Sequence, residues 1–455
     1  MIVIFGKGKV GNAMVDLLNF LGREYLVMDD QDRDDVQLEQ AETIMVTPGL
    51  PQHHKLYQNY KQKCMGELDL LAELRETFFG TDKQFPDLET IGITGTNGKS
   101  TTSWIVYNLF RNLFAQQNIS TPVFISGNFG TPLSAVLLEL LQKNSRQALV
   151  ILEVSSFMLY ACKKFTFDYS ILTNIATDHL DWHKDFDEYQ HCKQHIITQT
   201  IHHAYTIASV YTTLEKKLQN KTAIFDDDFD LKHTQFLGKH NQYNFKSADM
   251  LVRQYHSDHQ LDFSEKDYQK ALAMITPLDH RMKLIKTVKN RKKLDENQNL
   301  DVEKKLEEKN MYEINIYDDG ICTSAHALIG ALSCFDDVSS CHSCEDRNLS
   351  KIVLIAGGYD KGEDYTHLGP LLKENVAFLS LLGATGKTKF LSIAEQENIE
   401  YRYSETLEQA VNTALAYAKD HSLSVVLFSP GSASFDMFKN VYDRCEQFEK
   451  IVEKL

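Results

Sequence analysis

A Gly-rich turn ending in Gly-Lys-Ser carries the most specific chemistry in this chain. Residues 94–102 read TGTNGKSTT, with the apolar run TIGIT leading in and WIVYNLF following at helical spacing. Gly95 and Gly98 let the backbone, through Thr96 and Asn97, wrap phosphate oxygens at the head of a helix. Lys99 would reach the β- and γ-phosphates, and Ser100 or Thr101 would hold Mg²⁺. The strict G-x-x-x-x-G-K-[ST] spacing is missed by one place, because Ile93 stands where the first Gly belongs and Gly92 precedes it. The loop is a variant, and ATP chemistry is the first hypothesis against a Gly-rich surface turn.

Three further constellations offer chemistry. Gly6-x-Gly8-x-x-Gly11 follows the run IVIF, precedes AMVDLLNFL, and has Asp29 at the end of YLVMD, which is the dinucleotide-binding pattern in its proper setting. Alone it suggests a nicotinamide-dependent dehydrogenase, but the same strand-turn-helix serves any diphosphate nucleotide, and such an enzyme needs no second, ATP-type loop. In LEVSS, Glu153, Ser155 and Ser156 end an apolar run. A lone carboxylate is costly to bury unpaired, so a cation partner is expected, with Mg²⁺ the natural one. TNIATDHLDWH offers Asn174, Thr177, Asp178, His179 and Asp181, where His179 is either a packing histidine or a second Mg²⁺ ligand. Cys341-x-x-Cys344, flanking His342, lacks a second pair at zinc-ligand spacing and reads as a polar loop.

These groups must be positioned by alternating strands and helices. Apolar runs IVIFG, YLVMD, TIMVTPG, TIGITG, ALVILEVSS, YSILTNI, KIVLIAGG, AFLSLLG and SVVLFSPG alternate with helical stretches, the signature of α/β domains with largely parallel sheets. Several end in Gly, Ser, Asn or Asp, and ligands sit at the carboxyl ends of such strands. A length of 455 residues fits two to four domains at ~100–200 residues each. Breaks at FFGTDKQFPDLET and ITPLDHRMKLI suggest three domains, 1–84, 85–277 and 278–455. The charged stretch 286–310 reads as an exposed excursion, a hairpin tip or helix, and 335–350 as a second loop.

The net charge of −15 argues against nucleic acid as a partner, since phosphate-backbone binding needs a basic face. Anionic small substrates must then be met by local Lys, Arg, helix N-termini or Mg²⁺. No apolar run approaches the ~18–20 residues that span a bilayer, so no membrane segment is expected. The N-terminus lacks the apolar region of a secretory signal. Eight scattered Cys agree with reduced thiols and a cytoplasmic location.

Taken together, TGTNGKST, SGNFGTPL, LEVSSF, TNIATDHLD with YQHCK, LGKHNQYN, DHR, AGGYDKGEDY and SPGSASFDMFKN resemble, in order and over nearly the whole chain, the Mur ligases, ATP-dependent amide-forming enzymes of peptidoglycan precursor synthesis. The first domain and SPGSASFDMFKN look most like the glutamate-adding members. The resemblance implies a Rossmann-like N-terminal domain, a central P-loop ATPase-type domain with a parallel sheet, and a C-terminal Rossmann-like α/β domain. It implies a monomer that uses ATP and two Mg²⁺ ions to add D-glutamate to UDP-N-acetylmuramoyl-L-alanine through an acyl phosphate. Ser100 would bind one metal, while Glu153 and His179 position the second. Lys193, four residues after Tyr189, matches a position that the family carbamylates, and as a carbamate it would help organise the metals. Lys9, Val10, Asp29 and Thr47 with Pro48 and Gly49 match the uridine site, with Asn128, Ser155 and His179 toward the rest of the nucleotide sugar. Asn241 and Asn244 match positions near the adenine, and Arg281 and Asp319 would close over ribose and phosphates. Thr323, Lys361, Ser434 and Phe435 match the glutamate site, with Lys361 the partner of a substrate carboxylate.

Three departures bear on the amino acid. Ile321 stands where many members carry a second Lys, Met158 replaces a common Gln, and Val441 replaces an aromatic. Loss of a cation leaves the choice between D- and L-glutamate open. A sibling ligase is the first alternative, although the Asp-Asn-Pro-Arg motif of the diamino-acid enzymes is absent. Folylpolyglutamate synthase lacks the preceding nucleotide-type domain. A non-catalytic nucleotide-binding protein would predict a broken metal site, whereas Lys99, Ser100, Glu153, His179 and Lys193 are all intact.

Overall fold

A computed structural model describes residues 1–78, 85–180, 182–291, 311–335 and 351–455. The chain forms two compact units, residues 1–234 with 241–275, and residues 235–240 with 276–455.

The first unit holds two sheets. In the N-terminal sheet, β1 (Ile2–Phe5), β2 (Tyr25–Met28), β3 (Thr43–Val46) and β4 (Cys64–Met65) lie in the order β2-β1-β3-β4, all parallel. The larger sheet holds β5 (Asp87–Thr94), β6 (Val123–Gly127), β7 (Gln147–Glu153), β8 (Phe167–Leu172), β9 (Thr200–Ile207) and β10 (Thr222–Phe225) in the order β10-β9-β8-β5-β7-β6. It too is parallel throughout. Parallel strands covered on both faces read as unbroken apolar runs, and β3 and the last five residues of β7 are buried at every position.

One core runs through both sheets. Ile4, Met14, Leu17 and Leu18 belong to the same buried cluster as Leu133, Val136, Leu137 and Leu140, joining the helix Lys9–Leu21 to the helix Leu133–Gln142. Two buried carboxylates reinforce the junction. Glu67 accepts from the Ser134 amide at 2.8 Å, and Asp69 accepts from the amides of Lys163, Lys164 and Phe165 at 2.8–3.1 Å. Backbone N–H groups thus satisfy charges that would be costly to bury alone.

The register places chemistry at one edge of the central sheet. Ile93 pairs with Glu153, Gly127 with Glu153, and Thr94 with Leu172, so four loops, after β5, β6, β7 and β8, leave the carboxyl edge side by side. The chain order reverses between β5 and β8, the crevice where open α/β sheets bind ligands.

The second unit holds β11 (Lys283–Arg291), β12 (Met311–Asp318), β13 (Ile352–Ala356), β14 (Val376–Leu381), β15 (Glu400–Tyr403) and β16 (Val425–Phe428). Their order is β11-β12-β16-β13-β14-β15, with β11 antiparallel to β12 and the other pairs parallel. Residues 286–291, expected to begin an exposed excursion, are instead strand: they pair residue by residue along β12 after an irregularity at Ile285, and Ile285 and Val288 pack on the core. Phe335, expected in a loop, is a buried residue of a short 3₁₀ turn. Residues 292–310 and 336–350, with the Cys341 and Cys344 pair, and Asp181 lie outside the described residues. Among the described residues no helix is long and apolar enough to cross a membrane.

Candidate active site

The loop after β5 is a closed polar ring. Gly95 has φ +151°, and a Cβ there would run into Thr173 Oγ1; Gly98 has φ +82°, and a Cβ would sit 2.5 Å from Asn244 Oδ1. Both positions therefore exclude side chains. Thr173 Oγ1 donates to the Asn97 carbonyl at 2.6 Å, while the Asn174 side chain accepts from the Asn97 amide at 2.9 Å and donates to its carbonyl at 3.0 Å. The Thr96 amide donates to the Asn174 carbonyl at 2.9 Å, and Thr96 Oγ1 meets the Tyr189 hydroxyl at 2.9 Å. The helix Lys99–Gln116 starts at Gly98 with no side-chain cap, so its positive dipole end faces the turn beside Lys99, Ser100 and Thr101.

Two lysines converge on adjacent carbonyls of that turn. Lys99 Nζ donates to Thr96 O at 2.8 Å, and Lys193 Nζ donates to Gly95 O at 2.7 Å. Lys193, on the helix Phe186–Thr198, is 1% exposed, with its ammonium 4.8 Å from the centre of the Tyr189 ring. Burial, with the Lys99 charge nearby, pushes its amine down to about 7. Lys193, a carbamate position by resemblance and a surface-helix lysine if unmodified, is thus buried beneath the loop.

Glu153 ends β7 and is 2% exposed. Asn128 Nδ2 donates to its Oε1 at 2.8 Å, and the Asn128 amide donates to its carbonyl at 2.9 Å. Its Oε2 is buried with no hydrogen-bond partner. A carboxylate oxygen left so is the donor a hard cation requires, and Ser100 at the head of the neighbouring helix supplies a second oxygen. The residues present therefore fit Mg²⁺. Asn128, expected to touch the nucleotide sugar, here fixes Glu153. Gly127 and Gly130 have φ +94° and +96°, with Cβ positions blocked by the carbonyls of Glu153 and Ile125, so the SGNFG turn wraps the end of β7.

His179 has φ +53°, a conformation uncommon for a residue with a side chain. Its half-exposed ring stands 4.9 Å from Phe157 and its Nε2 3.5 Å from Asp178. His183, not singled out from the sequence, is buried: Nε2 meets Ser156 Oγ at 2.9 Å, and burial pushes its pKa down. Ser155 caps the helix Ser156–Ala161 by accepting from the Met158 amide at 3.2 Å.

The N-terminal turn is built by backbone contact. A Cβ on Gly11 would strike the Gly6 carbonyl, and one on Gly6, φ +120°, would strike Thr47 Oγ1. Lys9 Nζ donates to Gly130 O at 2.8 Å, tying the N-terminal turn to the SGNFG loop. Val10 packs partly buried on the shared core. Asp29 pairs with Lys7 at 3.1 Å, and Lys7 also reaches Asp32 at 2.6 Å.

Asn241 and Asn244 are buried on the helix Lys239–Asp258. Asn244 Oδ1 accepts from Thr102 Oγ1 at 3.1 Å, and its Nδ2 donates to Asn241 at 2.9 Å. Expected near the adenine, this pair buttresses the phosphate loop from below.

In the second unit, Arg281 lies between His280 and Met282, at φ +62° and +49°. Asp319 accepts from Ser429 Oγ at 2.7 Å, and burial raises its carboxyl to about 7, against the pull of Arg281. Thr323 is half-buried and Lys361 exposed. Ser434 is buried, whereas Phe435 is 66% exposed and lies edge-on to Tyr359 at 6.1 Å. Arg444, missed in the sequence, is 1% exposed and donates to Ser432 O and Gly320 O, each at 2.8 Å. It fixes the loops bearing Ser434 and Asp319 to each other; a lone Arg in a helical run carries no signal of that.

The family described as the Mur ligase middle domain matches residues 93–226, the span from the phosphate loop through β10. The chain is 28% identical over 470 residues to the UDP-N-acetylmuramoylalanine--D-glutamate ligase of Aquifex aeolicus (strain VF5), covering 99% of this chain and 98% of that protein. It is 26% identical over 482 residues to the protein of the same name from Lawsonia intracellularis (strain PHE/MN1-00), covering 100% and 94%. Among solved structures, the MurF ligase of Thermotoga maritima in complex with ADP shares the fold, at a TM-score of 0.53 and 16% identity over 100% of this chain and 95% of that one. The chain thus carries the Mur ligase middle domain on its central sheet and is similar from end to end to ligases of that family.

Proposed function

We propose that this chain is an ATP-dependent ligase that joins D-glutamate to UDP-N-acetylmuramoyl-L-alanine in peptidoglycan precursor synthesis. The observation that carries this is the junction of a phosphate-type turn with two lysines and the buried, unpartnered Glu153 Oε2, in a chain similar over its whole length to proteins of that name.

A carboxylate is a poor electrophile. Transfer of the γ-phosphoryl of ATP to the terminal carboxylate of the nucleotide sugar converts it to an acyl phosphate, which the glutamate amine attacks with expulsion of phosphate. Transfer between two anions needs charge neutralisation more than covalent help. The turn at Gly95–Gly98 and the helix head at Lys99 hold the phosphates, and Lys99 exchanges its Thr96 carbonyl for the γ-phosphoryl oxygens. Ser100 and Glu153, with His179, would hold two Mg²⁺ ions, which when bound neutralise charge on the transferring group and orient the acceptor. Lys193 acts as a carbamate: at about 7 a large share of its amine is neutral near pH 7, the neutral nitrogen adds to the carbon of CO₂ and releases one proton to solvent, and the resulting anion would help to organise the metals. Lys9, Val10, Asp29 and Thr47 hold the uridine end. Asn241 and Asn244 brace the ATP loop, while Arg281 and Asp319 contact the nucleotide. Thr323, Lys361, Ser434 and Phe435 receive glutamate.

The test is phosphate release by purified protein with ATP, Mg²⁺ and UDP-N-acetylmuramoyl-L-alanine, comparing D-glutamate, L-glutamate, alanine and a diamino acid. Turnover with D-glutamate alone is expected. Turnover with L-glutamate alone would reassign the stereochemistry, and none with either enantiomer would overturn the proposal.

A further inference from the structure

Away from the phosphate loop, the second unit gathers a second set of donor atoms. His280, Asp318 and Cys445 offer a ring nitrogen, a carboxylate oxygen and a thiol sulfur within 4.8 Å of one another. They come from three elements: the turn bearing Arg281, the end of β12, and the helix Val441–Glu453. Asp318 and Cys445 are fully buried, and His280 is 9% exposed. Glu449 stands one helical turn after Cys445, so both project from the same face, and its Oε1 lies 3.7 Å from His280 Nδ1.

Charge and packing both favour a cation here. Two carboxylates face one imidazole, while neighbouring cations are engaged elsewhere: Arg444 donates to the backbone carbonyls of Ser432 and Gly320, and Lys283 to Asp279. Gly320 supplies the space, since a Cβ on it would sit 2.6 Å from Cys445 Sγ and 2.9 Å from Asp318 Oδ1. The Gly320 amide donates to Asp318 Oδ1 at 2.8 Å, leaving Oδ2 for the cluster, the outer-shell support that orients a ligating carboxylate. One sulfur, one imidazole nitrogen and carboxylate oxygens suit a borderline-soft, tetrahedral ion.

We propose that His280, Asp318, Cys445 and Glu449 form a structural Zn²⁺ site that clamps the Arg281 turn and β12 to the C-terminal helix. On binding, the Cys445 thiol releases its proton to solvent and His280 carries its proton on Nε2, freeing the Nδ1 lone pair. The Nδ1 contact to Asp318, 2.6 Å in the structure, opens on binding to the ligand spacing of about 3.3 Å that a tetrahedral zinc imposes. This site is independent of the ligase assignment and of the Mg²⁺ ligands.

The test uses full-length protein stripped by chelator and titrated with Co²⁺ or Zn²⁺ without nucleotide. A Cys341→Ser, Cys344→Ser background removes the other thiol pair as a competitor. One equivalent of Co²⁺ is expected to give a thiolate-to-metal absorption band and the intense visible bands of a tetrahedral ion, and Zn²⁺ to displace it and raise the unfolding temperature. Cys445→Ser should abolish the thiolate band, and Glu449→Gln, a partly exposed position that tolerates change, should weaken Co²⁺ affinity at least tenfold. No stoichiometric binding, or a band that survives Cys445→Ser, would overturn the site and leave His280 and Asp318 as a simple ion pair. Should Cys445→Ser fail to fold, unchanged affinity in Glu449→Gln with a band of octahedral intensity would overturn it as well.

Discussion

The chain carries two Gly-rich turns, each between the first strand and first helix of its sheet, and they are built to opposite electrostatic ends. In the turn Gly6–Gly11, Gly6 and Gly11 are required because the backbone packs on itself and on Thr47, and the nearby cations are already matched: Lys7 by Asp29 and Asp32, Lys9 by a carbonyl. At Gly95–Gly98 the glycines yield to polar side chains, and two lysines press on adjacent carbonyls, Lys99 on Thr96 and Lys193 on Gly95. A shared loop shape therefore says that phosphate fits, and the local charge balance says how much negative charge the site demands. The first turn suits a ligand held by backbone and shape, the second a highly charged group in transit.

That contrast can be broken by experiment. Lys99→Ala removes the cation that follows the phosphoryl group and should cut ligase turnover by about 10³-fold with an unchanged circular dichroism spectrum; retained turnover would mean that the loop does not carry the chemistry. Glu153→Gln keeps the shape and the Asn128 contact but removes the charge, so turnover should fall by about 10²-fold and the Mg²⁺ requirement should rise in a metal titration.

Lys193 gives a pH signature. Its amine sits at about 7 in the folded chain against an ordinary 10.5, so between those values the unfolded chain holds a proton that the folded chain has released. Stability of the unmodified protein should therefore climb as pH rises from about 7 to 10.5 and be lowest below that window, by an amount on the order of a few kcal/mol. Urea unfolding in CO₂-free buffer should show this slope in the parent and lose it in Lys193→Met.

In the first turn, Gly11→Ala pushes a methyl onto the Gly6 carbonyl and should cost ~1–3 kcal/mol of stability, with a raised KM for the nucleotide sugar and little change in kcat. The smallest effect belongs to Lys7→Ala. Its ion pairs are solvent-exposed, so KM should move by a factor of about 3 or less, and a larger change would make the first turn electrostatic after all.

The strands divide by depth into those that the sequence reveals and those that it hides. All nine apolar runs picked out by pattern are strands, β1, β2, β3, β5, β7, β8, β13, β14 and β16, and of these β2 alone is a sheet edge among the described strands. Those passed over, β4, β6, β9, β10, β11, β12 and β15, are edges of the three sheets or strands beside an edge. An outer strand shows one face to water, as in EYRY or TIHHAYTI, so its apolar signal is diluted by half. Breaks in composition suggested a boundary near residue 84, and packing across it, where Leu17 and Leu18 share a core with Leu137 and Leu140, leaves no mark on the composition of the segment between.

The same division holds at the site. The sequence by itself determined the local chemistry: a Gly-Lys-Ser turn at a strand end, a carboxylate ending an apolar run, and glycines where no side chain fits. These are legible because a turn's conformation and a strand's periodicity are properties of adjacent residues. Only the tertiary structure decided that Asn128 orients Glu153 rather than facing outward, that Asn244 supports the loop, that Lys193 is buried deeply enough to lose its proton near neutrality, and that Arg444 ties two distant loops. Each of these depends on desolvation and on partners tens to hundreds of residues away, and burial of that kind is set by packing, which no stretch of sequence contains.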